Sequence, residues 1–585
     1  MDNKTMARLL AETADLLEID GADSFRIRSY RRAAEAAEQT TVDLTEAVAD
    51  TARLMEIDGI GKSMAAKLQA IAATGTLEQR DELLAKFGAG VLELLKLPGM
   101  GPKTVALLWD AAKIGSPKIA SIDQLAQAIE AGRLNGLPRM GVKQIEKLRK
   151  GIEDFRRSAG RFRIDVATEE AARIAAWLLK LKGIANVTSA GSLRRGRETE
   201  GDLDLLATGP ACEPGHTEAA VEHVAAYPGI HDMIAKGENK VSFNLDQGLQ
   251  VDVRLLPTAS YGAALQYFTG SKAHNVVLRQ RALKMGYTLN EWALARLDDG
   301  STVAAATEEE IYAALGMDWM PPEMRENLGE IDAAAEHALP LVVALDDIRG
   351  DVHMHTTASD GHNSIREIAD AALACGYEYI AITDHSKNLA ITNGLDEKRA
   401  LEQIKQVRAV DRAMEGRIRV FTGIEVDILA DGAIDLDDEV LAQLEVVIAS
   451  VHTRFEQSRE EMTARVIRAI ENPYVRILGH PTGRLLLRRE PFAIDLVAVF
   501  KRAAELGVAM EHNAAPERLD LNDHDLRLAK EMGCRIVMSS DSHDSRNLGK
   551  MVYGVKQLRR AWLTAEDVLN TRHAKDFLAA LRPRG

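Results

Sequence analysis

The chain has 585 residues, 46% of them hydrophobic and 28% charged, with a formal net charge of −15 at pH 7. That length calls for several domains, the composition excludes a disordered chain, and no apolar run approaches the ~18 residues of a membrane span. Cys212, Cys375 and Cys534 are few, odd in number and far apart, which argues against a disulfide framework; with no signal-peptide pattern at Met1-Asp2-Asn3-Lys4, a cytoplasmic protein is expected. Net negative charge opposes nucleic-acid binding, but it is segregated: residues 1–160 sum to roughly zero and about ten negative charges gather between 291 and 340. A local basic surface therefore survives.

Residues 1–50 carry apolar positions at helical spacing, interrupted by the basic, aromatic stretch Phe25-Arg26-Ile27-Arg28-Ser29-Tyr30-Arg31-Arg32-Ala33-Ala34. By pattern alone this is an exposed helix with arginines on its wet face. Next come Gly59-Ile60-Gly61-Lys62 and, about forty residues later, Gly99-Met100-Gly101-Pro102-Lys103, each leading into an apolar helix. Both read as helix-hairpin-helix turns. Their paired glycines permit a tight bend that offers backbone N–H groups to a phosphate without reading bases. Gly59, Gly61, Lys62, Gly99, Gly101 and Lys103 are the expected DNA contacts. A third copy, Leu137-Pro138-Arg139-Met140-Gly141-Val142-Lys143, has lost its first glycine.

From 161 to 290 helices and strands alternate. Thr168 is expected to cap a helix running to Leu181, with Gly183 ending it before a strand near 185–190. Then follow Gly191-Ser192-Leu193-Arg194-Arg195-Gly196 and Gly201-Asp202-Leu203-Asp204. Carboxylates at i and i+2 of a strand share one face, so Asp202 and Asp204 can share hard divalent cations, and Asp252 on a neighbouring strand adds a third. Such a triad suits in-line attack on phosphorus, and Gly191-Ser192 and Arg195 would meet phosphate oxygens. The bland alternative is a solvated acidic strand edge. A helix near 216–226, strands near 230–236, 240–246 and 249–256, and helices Tyr261–Phe268 and Ser271–Met285 are expected. The last carries Lys272, His274, Asn275, Arg279 and Arg281, read as facing template or primer. A small sheet begins near Gly286; the acidic residues 308–337 and Pro321-Pro322 and Pro340 mark a solvated face and the approach to a linker.

The Gly-Ser…Asp-x-Asp segment resembles the nucleotidyltransferase superfamily signature, and Tyr267-Phe268-Thr269-Gly270-Ser271 narrows the resemblance to the family X DNA polymerases. The resemblance implies a palm in which Asp202, Asp204 and Asp252 are catalytic and hold Mg²⁺ or Mn²⁺. It also implies that Gly191, Ser192, Arg195 and Gly201 meet the triphosphate, and that Tyr267, Phe268 and Gly270 lie under the sugar. Arg254 and Lys272 are expected to face DNA. Glu200 departs from the family, standing where eukaryotic members have serine; its charge would weaken nucleotide binding or turn outward. The Phe25–Ala34 segment resembles the family's N-terminal domain, and Lys67 occupies the position of the Schiff-base lysine of the lyase members, although Ser63 replaces a second lysine there.

After about residue 341 a different grammar begins, in which polar metal-binding residue types recur at the ends of apolar runs that follow helical stretches. Almost all of the set sits so: Asp351-Val352-His353-Met354-His355, Thr383-Asp384-His385, Glu425, His452, His480 and Asp541-Ser542-His543, with Asp360 following a turn. That is the layout of a β/α barrel whose ligands gather at the C-terminal mouth. The set resembles the polymerase and histidinol phosphatase (PHP) domain. The resemblance implies nine ligands, His353, His355, Asp360, His385, Glu425, His452, His480, Asp541 and His543, holding two or three ions. Mixed imidazole and carboxylate ligation suits Mn²⁺ or Zn²⁺ and phosphoesterase chemistry. Arg454, Arg484 and Lys387 follow ligand motifs and are candidates for substrate phosphate.

The expected architecture is therefore a multidomain α/β protein. It comprises an N-terminal helix-hairpin-helix domain (1–80), fingers with a second such motif (81–160), a nucleotidyltransferase-type palm with a mixed sheet (161–288) and a small thumb (289–335). A linker (336–346) leads to a distorted C-terminal β/α barrel of PHP type (347–585). The expected function is gap filling in base excision repair with a metal-dependent 3′–5′ exonuclease or 3′-end-processing activity. Its partners would be gapped or primed DNA and deoxynucleoside triphosphates, with no membrane, and the chain would act as a monomer. The main alternative is a DNA-binding nuclease or phosphatase whose polymerase portion is weak or inactive; another is a non-templated nucleotidyltransferase acting on RNA or a small molecule.

Overall fold

The computed structural model describes residues 3–583 apart from 41, 43, 58, 89, 98, 111–117, 135–136, 138–139 and 159. Asp58 and Pro98 beside the first two glycine turns, and Pro138 and Arg139 of the third, thus lie outside the described residues. The chain divides into two compact units, residues 1–159 and 160–585.

The first unit is helical throughout its described elements. Helices Asn3–Ile19 and Ser24–Gln39 bury Met6, Leu10, Leu17, Tyr30, Ala33 and Ala37 against one another. Asp23 starts the second by accepting the amides of Phe25 and Arg26. At both glycine turns the first glycine takes a left-handed conformation, φ +94° at Gly59 and +83° at Gly99. The second glycine immediately precedes a helix, Lys62–Thr74 and Pro102–Asp110 respectively. A Cβ at Gly61 or Gly101 would meet nothing within 4 Å.

The second unit opens with β1 (Phe162–Arg163) and a helix Ile164–Leu178. Thr168 lies inside that helix rather than at its start, because β1 pairs with β3 (Thr199–Glu200) and delivers the chain into the helix four residues earlier; its hydroxyl bonds the Ile164 carbonyl. The palm sheet contains β2 (Asn186–Ser189), β4 (Asp202–Thr208), β5 (Ile230–Lys236), β6 (Lys240–Leu245) and β7 (Gln250–Leu256), in the order β2-β4-β7-β6-β5. β4 and β7 are parallel and the other pairs antiparallel. Leu203, Leu205, Val251 and Val253 bury one face against Ile174 and Val221, which leaves the aspartates on the other.

Helices Tyr261–Thr269 and Lys272–Lys284 lead into a three-stranded sheet of β8 (Tyr287–Leu289), β9 (Leu294–Arg296) and β10 (Thr302–Ala304). Ala263, Leu278 and Ala282 share a core with Leu289, Leu294 and Ile311. Residues 336–346 are not a free tether: Val343 is buried in the next core, and its amide bonds the Leu563 carbonyl.

Seven parallel strands then run in sequence order: β11 (Gly350–Asp351), β12 (Tyr379–Ile382), β13 (Arg419–Asp427), β14 (Val446–Ser450), β15 (Ile477–Leu478), β16 (Ala509–Asn513) and β17 (Ile536–Ser539). A parallel bridge between Met354 and Ser542, just past the first and last strands, joins the two ends. Helices such as Ile365–Ala374 and Leu496–Leu506 alternate with the strands, which read as continuous apolar runs because both their faces are covered. The mouth beyond the strands' C-terminal ends collects the polar loops.

Candidate active sites

In the palm, the register Asp202↔Gln250 and Asp204↔Asp252 sets the three carboxylates together at one end of two parallel strands. Gly191, at φ +60°, presses onto this cluster: a Cβ there would stand 2.7 Å from Asp204 Oδ2. Burial, then the neighbouring charge of Asp202, pushes the Asp204 carboxyl up to about 6. That is the state of a buried acid group crowded by like charge. Asp252 differs, since Lys240 Nζ lies 2.6 Å away; although burial works against it, hydrogen bonds from Lys240 and Ser242 hold this carboxyl below its usual range.

The turn after Gly191 forms one short helix, Gly191–Arg194. Ser192 donates its hydroxyl to Glu200, so the expected phosphate-facing hydroxyl is engaged within the protein. Glu200 does not turn outward. It is fully buried, burial pushes it up to about 7, and one of its oxygens has no hydrogen-bond partner. Arg195 is held by Glu326 at 3.0 Å and by the Thr269 carbonyl. Its neighbour Arg194 forms a fork with Glu308, at 2.8 Å to both oxygens, and buried Arg325 grips the same carboxylate. Gly201 lies beside the Arg161 guanidinium. Tyr267 and Phe268 pack edge to face, and the Arg254 guanidinium stacks 4.0 Å over Phe268. Gly270, at φ +67°, follows them and Lys272 is exposed.

Two members of the basic helix do not face outward as expected. His274 is buried between Glu330 at 2.7 Å and Tyr312 at 3.0 Å, and Arg281 bonds the Leu315 carbonyl. Helical spacing placed these residues on the helix but not against the Tyr312–Glu330 stretch that packs on them.

At the barrel mouth all nine expected residues converge. His355, Asp360, His385 and His543 form one group that could hold an ion; His353, His355 and Glu425 form a second; His385, Glu425 and His452 form a third. His480 Nε2 lies 3.0 Å from Glu425, and Asp541 Oδ1 lies 3.2 Å from His355 Nε2. His353 Nε2, His355 Nδ1 and Glu425 Oε2 are buried without a hydrogen-bond partner, which fits cations between them. Burial opposes charge throughout, yet Glu425 and Asp427 raise His452 to about 9, and Asp360 with Asp541 does the same for His543. Burial and the neighbouring imidazoles hold His355 well below its usual value.

A second layer was not foreseen. Glu511 accepts from His353 Nδ1 at 2.6 Å and also receives the His480 amide and the Ser539 hydroxyl. Asp427 binds His452 Nδ1 at 2.7 Å. These carboxylates fix the ring orientation of the residues that face the ions. Arg518 Nε lies 3.2 Å from Asp541, and its Nη1 is buried without a hydrogen-bond partner. The three cations expected from position fare differently: Arg484 is buried against Glu198 and the Leu519 carbonyl, Lys387 pairs with Glu397, and Arg454 takes a left-handed backbone at φ +58°.

In the first unit Lys67 sits 3.1 Å from Ser63 and 5.4 Å from the Tyr30 ring centre; burial and then the Arg26 charge lower its pKa. Lys62 is exposed, and Lys103 lies 4.0 Å from Glu18.

Comparison with known proteins places these sites in a family. The DNA polymerase beta thumb pattern matches residues 264–326, a helix-hairpin-helix domain residues 1–77, a SAM-like helix-hairpin-helix tandem residues 91–154, and the PHP domain residues 351–517. The DNA polymerase/3′-5′ exonuclease PolX of Bacillus subtilis (strain 168) is 36% identical over 585 residues, covering 100% of both chains. Probable phosphatases of Thermoanaerobacter sp. (strain X514), 33% identical over 233 residues, and of Caldanaerobacter subterraneus subsp. tengcongensis, 32% over 248, match 38% and 40% of this chain. Those stretches cover 89% and 92% of the two phosphatases. The chain therefore belongs to the family X DNA polymerases that carry a PHP domain.

Proposed function

We propose that this DNA polymerase and 3′–5′ exonuclease fills short gaps during base excision repair, adding deoxynucleotides at the palm and clearing 3′ ends at the barrel mouth. The observation carrying the proposal is that one chain holds both a carboxylate triad in strand register and a ring of imidazoles around Glu425. The substrates are gapped or primed DNA and deoxynucleoside triphosphates, and the chain acts as a monomer. The paired glycine turns hold the duplex through its backbone, independently of sequence.

In the palm, Asp202, Asp204 and Asp252 would hold Mg²⁺ or Mn²⁺, which would supply the positive charge that nucleotidyl transfer needs. Asp252 must exchange Lys240 for the catalytic cations, and Arg195, aimed by Glu326 and the Thr269 carbonyl, meets the triphosphate. Asp252 is also the carboxylate nearest the proton leaving the 3′-hydroxyl. Tyr267 and Phe268 form the floor under the sugar, held by stacking of Arg254. At the barrel, the nine residues would hold two or three Mn²⁺ or Zn²⁺ ions, whose chemistry would be Lewis-acid activation of water for phosphoester hydrolysis. Glu511 and Asp427 fix the imidazoles, and Arg518 draws the scissile phosphate into place.

The test is a single-nucleotide gap assay with Mg²⁺ or Mn²⁺ comparing Asp202→Ala with His353→Ala. The first should lose synthesis by at least about a hundredfold and keep end removal; the second should do the reverse. Absence of synthesis by the unaltered chain, with end removal intact, would favour a nuclease with an idle palm. The lowered pKa of Lys67 favours a second activity, release of a 5′ deoxyribose phosphate through a Schiff base. Borohydride trapping lost in Lys67→Ala and retained in Lys62→Ala would support it.

A further inference from the structure

The helix Met551–Arg560 belongs to the barrel, and none of the nine metal-site residues lies on it. It is packed instead against the palm's Gly191–Gly196 turn. Gln557 Nε2 donates to the Gly196 carbonyl at 2.7 Å, Arg560 Nη1 to the Arg195 carbonyl at 2.9 Å, and Lys556 Nζ reaches the Leu193 carbonyl at 3.4 Å. Gln557 is fully buried and Arg560 nearly so. Gly196 takes φ +70°, and a Cβ there would stand 2.8 Å from Lys556 Cβ, so only glycine permits this approach.

The last carbonyls of a helical turn lack internal partners and carry partial negative charge. Here the barrel supplies their donors. The N-terminal end of the same turn, at Gly191 and Ser192, faces the expected triphosphate. Arg560 makes a second link: it also bonds Glu326 at 2.9 Å, and Glu326 is the carboxylate that aims Arg195. Arg560 is itself fixed by Asp523 at 2.9 Å.

We infer that Gln557 and Arg560 of the PHP barrel are positioning residues for nucleotide incorporation by the palm: they hold the triphosphate turn and the clamp on Arg195 from the side away from substrate. This rests on the palm being the polymerising site. Both residues act through the backbone of residues 195–196 and through Glu326, so the effect falls on triphosphate affinity.

The test uses the full chain on gapped DNA, measuring KM and kcat for a deoxynucleoside triphosphate and, in the same preparations, 3′-end hydrolysis. Arg560→Met is expected to raise KM about tenfold, the scale of one lost charge-assisted hydrogen bond, with hydrolysis within about twofold. Arg560→Lys, which keeps the charge beside Glu326, should recover part of that loss. If Arg560→Met lowers both activities together, Gln557→Leu decides: a raised KM with intact hydrolysis supports the inference, and an unchanged KM overturns it. Unchanged KM in Arg560→Met likewise overturns it. No incorporation by the unaltered chain would overturn the polymerase reading and the inference together, whereas normal incorporation by the variants overturns the inference alone.

Discussion

The palm triad and the barrel mouth differ in what the protein itself sets beside their charged groups. In the palm three groups already have partners from the protein: Asp252 has Lys240, Arg195 has Glu326, and the Ser192 hydroxyl has Glu200. In the barrel, ligand faces ligand, and a carboxylate behind each of His353 and His452 keeps its ring aimed inward. Cations must therefore displace an existing contact in the palm, whereas the barrel is preorganised for its ions. The contrast fits the tasks. A polymerase site must release pyrophosphate and translocate after each addition, while a hydrolytic centre gains from keeping its ions between turnovers.

The strongest challenge to this contrast is Glu308→Gln. Arg194, beside the partnered Arg195, is anchored by Glu308, whose other guest, Arg325, has no exposed surface. Removing the carboxylate strands a buried guanidinium and should cost about 3–5 kcal/mol, read by denaturant unfolding. The acid limb gives the sign. Burial works against ionisation of Glu308, but Arg325 and Arg194 lower it from 4.5 to about 2. Its stabilisation is therefore complete above pH ~4.5 and lost as pH falls toward 2; the variant should lack that loss. A smaller effect separates the two sites. Glu511→Gln should weaken barrel metal affinity by about 10–100-fold, measured by calorimetric titration, with gap filling unchanged. An unaltered affinity would mean that the barrel is not preorganised through Glu511. Smallest is Lys240→Met, which removes the competitor at Asp252 and should lower the Mg²⁺ concentration for half-maximal incorporation by about threefold. A higher requirement would show that Lys240 assists the site rather than occupying it.

Much of this was legible in sequence because strand period is fixed. Once Asp202 and Asp204 alternate with leucines, and Asp252 with valines, a shared face follows from geometry. Most of the barrel residues were legible because they end apolar runs, whereas Asp360 follows a turn. The supporting layer was not. Glu511 sits in Met510-Glu511-His512-Asn513, where alternation on β16 sends Glu511 inward and His512 onto the Leu521 carbonyl; the more conspicuous histidine is the structural one. Arg518 lies in the loop after β16, outside any periodic pattern. The fates of Glu200, Arg484 and His274 depend on partners 8, 286 and 56 residues away. Local pattern assigns a face to such groups but cannot name what waits across it.

Leu519, on the loop following β16, is wholly buried within the palm's own apolar core, and Leu486 and Tyr553 pack onto it. The two catalytic halves thus share an interior rather than meeting at a wet seam. A shortened enzyme ending before the barrel would carry an opened core along with its missing nuclease, and any loss of synthesis in it would report that wound as much as the absent chemistry.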